Sequence, residues 1–166
     1  MTKLAQQNVL AGLRANGSEA DPEDLFHALL VVKYRARLAN LDRDRLIRLA
    51  VRGGASQTRL GAQLGISQAR VSQIAGTADI DAPDGFSGAT PLEIAERYAV
   101  GELDEAQTID ELGRWPYREA NRPDPYDDAW EPGPGTWTDV EFANSQGIIT
   151  DDMYEAIFDR YIANNA

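Results

Sequence analysis

The chain has 166 residues, 43% of them hydrophobic, with no cysteine, one histidine and a formal net charge of −11. That length suits one medium domain or two small ones, and the missing cysteines exclude a disulfide framework, a thiolate nucleophile and a His/Cys zinc site. No run approaches the ~18 consecutive apolar residues of a membrane span, and the opening MTKLAQQNVLAG is too interrupted by Gln6, Gln7 and Asn8 for a signal peptide. The expected location is therefore the cytoplasm, with no membrane partner.

The charge is unevenly spread. Residues 1–78 carry eleven Lys/Arg against six Asp/Glu, net +5, whereas residues 79–166 carry five against twenty-one, net −16. Between Lys33 and Arg70 nine basic residues face two acids. Such asymmetry between halves points to a nucleic-acid partner on the basic side.

In chain order the patterning is helical throughout, and the expected class is all-α. Residues 2–16 read as a short amphipathic helix stopped by Gly17. Asp21-Pro22-Glu23-Asp24 starts a second helix with a cap, a first-position proline and first-turn acids. Its apolar residues Leu25, Leu29, Val32 and Ala36 continue to Asn40, with His27 a packed core histidine. Asp42 is read as the cap of a third helix that turns Leu46, Leu49 and Ala50 inward and ends at Gly53-Gly54. Two shorter helices follow within residues 56–76, and residues 76–89, GTADIDAPDGFSGA, read as an interdomain linker.

Beyond it, Thr90-Pro91-x-Glu93 signals a helix start, with Leu92, Ile94, Ala95, Tyr98 and Ala99 as core candidates. Asp104 caps the next helix, which carries Ile109 and Leu112 to Gly113. Residues 114–135 hold five of the eight prolines and cannot be regular helix for long. Residues 137–146 and 151–164 form a closing helical pair. The two pairs echo each other at a spacing of 46 residues, Gly101-x-Leu103-Asp104 against Gly147-x-Ile149-Thr150, although any helical corner favours these residue types. The expected organisation is an N-terminal DNA-binding domain (1–76), a linker (77–89) and a small C-terminal helical domain (90–166).

The stretch SQTRLGAQLGISQARVSQI, residues 56–74, resembles the helix-turn-helix of phage repressors and many bacterial regulators. Gly61 supplies a small residue where the two helices approach, Gly65 a turn residue tolerant of positive φ, and Ser67 a cap for the second helix. Leu60, Leu64, Ile66, Val71 and Ile74 have the spacing of a shared core. The second helix then offers Gln68, Ala69, Ser72 and Gln73, flanked by Arg70, to the major groove, where glutamine pairs with adenine and arginine with guanine. Ser56 and Gln57, with Thr58 and Arg59, are placed to bind phosphate at the start of the first helix. The arginines of residues 35–52 are solvated face charges, some of them within reach of phosphate. No acidic spacing suggests a Mg²⁺ site, so neither catalysis, a metal nor a cofactor is expected.

The acidic half contains one basic, aromatic run, RWPYREANR at residues 114–122. It is either a second contact, or a place where Trp115 and Tyr117 pack inward and the arginines pair with nearby acids. This half is alternatively a protein-interaction or dimerisation module. The order of a helix-turn-helix half, then GELDEAQTIDELGRWPY, then PGTWTDVEFANSQGIITDDMYEAI, is similar to the immunity repressors of cluster A mycobacteriophages over nearly the whole chain. The resemblance implies a repressor that maintains lysogeny in a bacterial host cell by blocking early lytic promoters, and that stops elongation at stoperator sites, with host RNA polymerase a further partner. It also implies a monomer reading an asymmetric operator with two domains, and makes Arg114, Tyr117, Arg118 and Arg122 the C-terminal DNA contacts. The absence of a sustained heptad is consistent with a monomer, and the linker as a flexible coil would reach roughly 20 Å.

Overall fold

The side chain of Asp21 accepts a hydrogen bond from the Glu23 amide, and the helix that starts there does not stop until Gly53. In the computed structural model, which describes residues 21–77, 81–119 and 133–165, this helix, α1 (Pro22–Arg52), is 31 residues long, roughly 46 Å. The expected break near Asn40 is absent. Asn40 instead donates its amide to the Ala36 carbonyl within the helix, and Asp42 is drawn into ion pairs with Arg97 and Arg45. The expected helix at residues 2–16 lies outside the described residues.

Six shorter helices follow: α2 (Gln57–Leu64), α3 (Gln68–Gly76), α4 (Pro91–Ala99), α5 (Glu105–Gly113), α6 (Thr138–Ser145) and α7 (Asp151–Asn165). Among the described residues there is no strand, so the all-α expectation holds. None of these helices is long and apolar enough to cross a membrane.

One helix serves two cores. Val31, Tyr34 and Leu38 of α1 are buried with Ile94, Ala95 and Ala99 of α4, Leu112 of α5, Val140 and Ala143 of α6, and Met153 and Ile157 of α7. Two turns further on, Ile47 closes a smaller core with Val71 and Ile74 of α3, flanked by Val51, Leu60 and Ile66. The first half of α1 thus packs with the C-terminal helices and its last turns with α2 and α3.

The echo between the two later pairs is a repeated corner. Gly101 and Gly147 both take positive φ, 83° and 66°. After each, two successive amides bond one carbonyl, Glu102 and Leu103 to Arg97, Ile148 and Ile149 to Ala143. Leu103 and Ile149 are buried behind these turns, as the helix-ending motif with an apolar tuck requires.

Residues 81–89 are held against the body. Asp81 pairs with Arg48 and Arg52 of α1, Phe86 packs edge-on against Trp115 with centroids 4.7 Å apart, and Ser87 gives its amide and hydroxyl to the two oxygens of Glu111, each at 2.7 Å. A flexible-coil reach therefore does not describe these nine residues.

Several apolar side chains expected inward face solvent: Leu25, Leu29, Val32, Leu46, Leu49 and, in α2, Leu64; Ala36 is exposed too. In α1 the physical reason is its continuity. The larger core lies on another side of α1, while Ile47, five turns on from Leu29, carries the smaller core at the C-terminal end of the same side. With the helix unbroken, Leu25, Val32, Ala39 and Leu46 fall seven apart, with Leu29, Ala36, Arg43 and Ala50 in the alternate positions. Arg43 and three alanines interrupt this series, so it does not amount to a sustained apolar heptad.

Candidate nucleic-acid interface

Ser56 caps α2 by accepting the Arg59 amide at 3.4 Å, and Ser67 caps α3 by accepting the Arg70 amide at 3.1 Å. Between them the chain turns in three residues, Gly65-Ile66-Ser67. Gly65 sits in the left-handed region at φ 68°, its amide bonded to the Gly61 carbonyl, a conformation that costs glycine little. Gly61 is buried where the turn passes over α2, and a Cβ there would lie 2.7 Å from the Ile66 carbonyl oxygen. Because that neighbour is backbone, Gly61→Ala is expected to lower stability by about 1–3 kcal/mol, read as a drop in the denaturant midpoint.

Val71 and Ile74 are buried against Ile47, which fixes the opposite side of α3 to solvent. Gln68, Ala69, Arg70, Ser72 and Gln73 are all exposed there. The Gln68 side-chain amide donates to the Gln57 side-chain oxygen at 2.6 Å, so the first residue of α2 braces the first residue of α3. The Gln68 side-chain oxygen and one amide hydrogen take no part in that bond. Arg70 reaches Gln73 at 3.5 Å.

At the start of α2, a cleft of about 340 Å³ is lined by Gly54, Ala55, Ser56, Arg59, Leu60 and Gln63. Ser56, Thr58 and Arg59 are exposed and Gln57 is half-buried. The helix start supplies unpaired amides and Arg59 a full positive charge, a combination suited to an anion.

Most α1 arginines near this surface are bound within the protein. Arg37 pairs with Glu96, Arg43 with Asp44, and Arg48 and Arg52 with Asp81. Arg45 forks onto Glu93 at 2.6 and 2.7 Å, and Arg97 approaches the same carboxylate at 2.9 Å while also bonding Asp42 and Glu102, both at 2.5 Å. Glu93 also accepts the Ala89 amide. Burial pushes its carboxyl up, but the hydrogen bonds from Arg45, Ala89 and Arg97 outweigh this and hold it below the ordinary glutamate value. Glu96, also buried, has only Arg37 and Lys33 to counter desolvation, and its carboxyl is raised. Burial would lower Arg97, yet its carboxylate partners raise it further. Much of the basic charge on α1 thus docks the acidic half.

The other basic run divides. Arg114 bonds Asp110 and the Gly85 carbonyl and stacks 4.2 Å from the Phe86 ring centroid. Trp115 is buried. Tyr117 donates its hydroxyl to the Leu112 carbonyl at 2.8 Å and packs edge-on against Trp137 and Tyr161. Burial, then Asp139 and Tyr161, pushes that phenol well above its usual value. At these three positions the geometry is that of inward packing and acid pairing. Arg118 is exposed beside a groove of about 340 Å³ that it lines with Asp81, Trp115 and Pro134, and Arg122 lies outside the described residues.

The sequence did not single out Glu93, Arg97 and Asp42 as a group. Their signal was present only as the Glu93/Arg97 pair one helical turn apart. Comparisons of the chain with protein-family models, curated proteins and solved structures returned no match.

Proposed function

We propose that the protein is a sequence-specific, double-stranded-DNA-binding transcriptional repressor that reads the major groove with the start of α3. The observation that carries this is the exposed, polar N-terminal turn of α3, with Gln68 braced by Gln57 and Ala69, Ser72 and Gln73 beside it. A braced amide is an adenine reader held in place before binding, and Arg59 with the start of α2 provides the adjacent phosphate grip. By the resemblance to cluster A mycobacteriophage immunity repressors, the role is phage immunity: repression of early lytic promoters, and arrest of elongation at stoperators.

Binding-site selection with the intact chain tests this. The expected result is a defined duplex motif that includes an adenine step contacted by Gln68. Recovery of unselected sequence would remove the repressor reading. A truncation at residue 80 is a poorer test, because it would strip the partners of Val31, Tyr34 and Leu38.

In the acidic half, the internal bonds of Arg114 and Tyr117 favour a scaffold or interaction module, and leave Arg118 as the one described member of that set with an exposed, uncommitted guanidinium. Arg118→Glu should lower affinity at least tenfold on an operator that the second half touches, about 1.4 kcal/mol. Unchanged affinity in a titration at fixed salt assigns DNA reading to α2 and α3 alone.

A further inference from the structure

We propose that Arg48 and Arg52, in the last turns of α1, form a phosphate-binding site that the carboxylate of Asp81 fills in the free chain and that the backbone of duplex DNA takes over. The class of ligand rests on the repressor reading, to which the site adds a contact.

Charge is balanced differently here than elsewhere on α1. Arg37 has Glu96 to itself, and Arg45 with Arg97 shares Glu93, Asp42 and Glu102. Arg48 and Arg52 divide a single carboxylate oxygen, Asp81 Oδ2, at 3.3 and 3.1 Å. Two guanidiniums against one carboxylate leave a net positive charge. Arg48 keeps only 14% of its side-chain exposure, and among the described residues its buried Nε and Nη1 have no hydrogen-bond partner. A guanidinium so far out of water needs more than one oxygen to offset its desolvation.

Position and exchangeability point to a DNA phosphate. Arg52 is the last residue of α1 and stands two residues before Gly54, the first to line the cleft at the start of α2, so the two Cα atoms are at most ~7 Å apart. The pair therefore adjoins the surface that Ser56 and Arg59 offer to phosphate. Asp81 is held there by exposed contacts: its side chain is 41% accessible and that of Arg52 58%, and such pairs contribute little. Among the described residues Asp81 bonds only these two arginines, and its segment is next tied down at Gly85, Phe86 and Ser87. A phosphodiester presents the same kind of charged oxygen to a guanidinium. Duplex DNA sets one such charge every ~1.7 Å of its axis, a field that one carboxylate does not match.

The test titrates the intact chain with the operator obtained by binding-site selection and with an unrelated duplex. Asp81→Asn keeps the shape of an exposed side chain and removes its charge. It should raise affinity about fivefold, and on both duplexes alike, because phosphate contacts carry no sequence information. Adding Arg52→Ala should cancel that gain and flatten the salt dependence by about one phosphate. Asp84→Asn, the same charge change at an exposed position three residues on, should give much less. Unchanged or weaker binding by Asp81→Asn overturns the site. So does a gain that survives Arg52→Ala or that Asp84→Asn reproduces, since net charge alone then explains it. In each of those outcomes the wild-type chain still binds its operator and the repressor reading stands. Failure of the wild-type chain to bind any duplex removes that reading and this site together.

Discussion

Replacing Glu93 by glutamine is expected to lower stability by about 3 kcal/mol, because one nearly inaccessible carboxylate holds two guanidiniums, and removing its charge breaks the Arg45 fork and weakens the set around Arg97, although Arg45 keeps Asp42 and Arg97 keeps Asp42 and Glu102. The loss should appear as a reduced urea midpoint. It should also loosen the tie between α1 and α4, measurable as faster amide exchange in α4 before global unfolding. The pH dependence has a definite sign. Glu93 titrates below its ordinary value of 4.5 in the folded chain, so its contribution is complete above that value and is lost as pH falls through the depressed folded one. The difference between wild type and Glu93→Gln should therefore shrink on acidification. Glu96 behaves oppositely. Its raised carboxyl disfavours the charged folded form, and stability is lost as pH rises through it. Glu96→Gln should accordingly cost much less at neutral pH, since its partner Arg37 is 43% exposed and can turn to water. Equal losses for the two variants would show that the Glu93 fork is not the central tie.

Gln68→Ala should weaken operator binding by about 1–3 kcal/mol and relax one base position, while leaving the unfolding midpoint within ~0.5 kcal/mol because the side chain is exposed. Gln57→Ala separates bracing from reading. Its side chain accepts from Gln68 at 2.6 Å, so its loss should lower affinity with a smaller change in base preference, and the double variant should fall short of the sum of the singles. Additive losses would mean that the two glutamines act independently on DNA. Arg59→Ala should weaken all duplexes alike and reduce the salt dependence by about one phosphate contact.

The sequence alone determined whatever is local. Asp21, Ser56, Ser67, Thr90 and Asp104 cap the helices that their side-chain chemistry announces, because a cap needs only an oxygen and an amide two or three residues on. The turn at residues 56–74 was legible for the same reason, since Gly61 and Gly65 answer constraints set within five residues, and Leu60 and Ile66 of the same motif flank Val71 and Ile74, which only Ile47 of α1 completes as a core. The tertiary structure decided what depends on distant partners. Whether Asp42 would cap a new helix or stay inside an old one turned on Arg97, 55 residues away. Whether the α1 arginines would face phosphate or carboxylate turned on Glu93, Glu96 and Asp81. With α1 unbroken, Leu25, Leu29, Leu46 and Leu49, which sequence spacing turned inward, face away from the cores. A helical period tells which residues share a face, but only the placement of the other helices tells which face is buried.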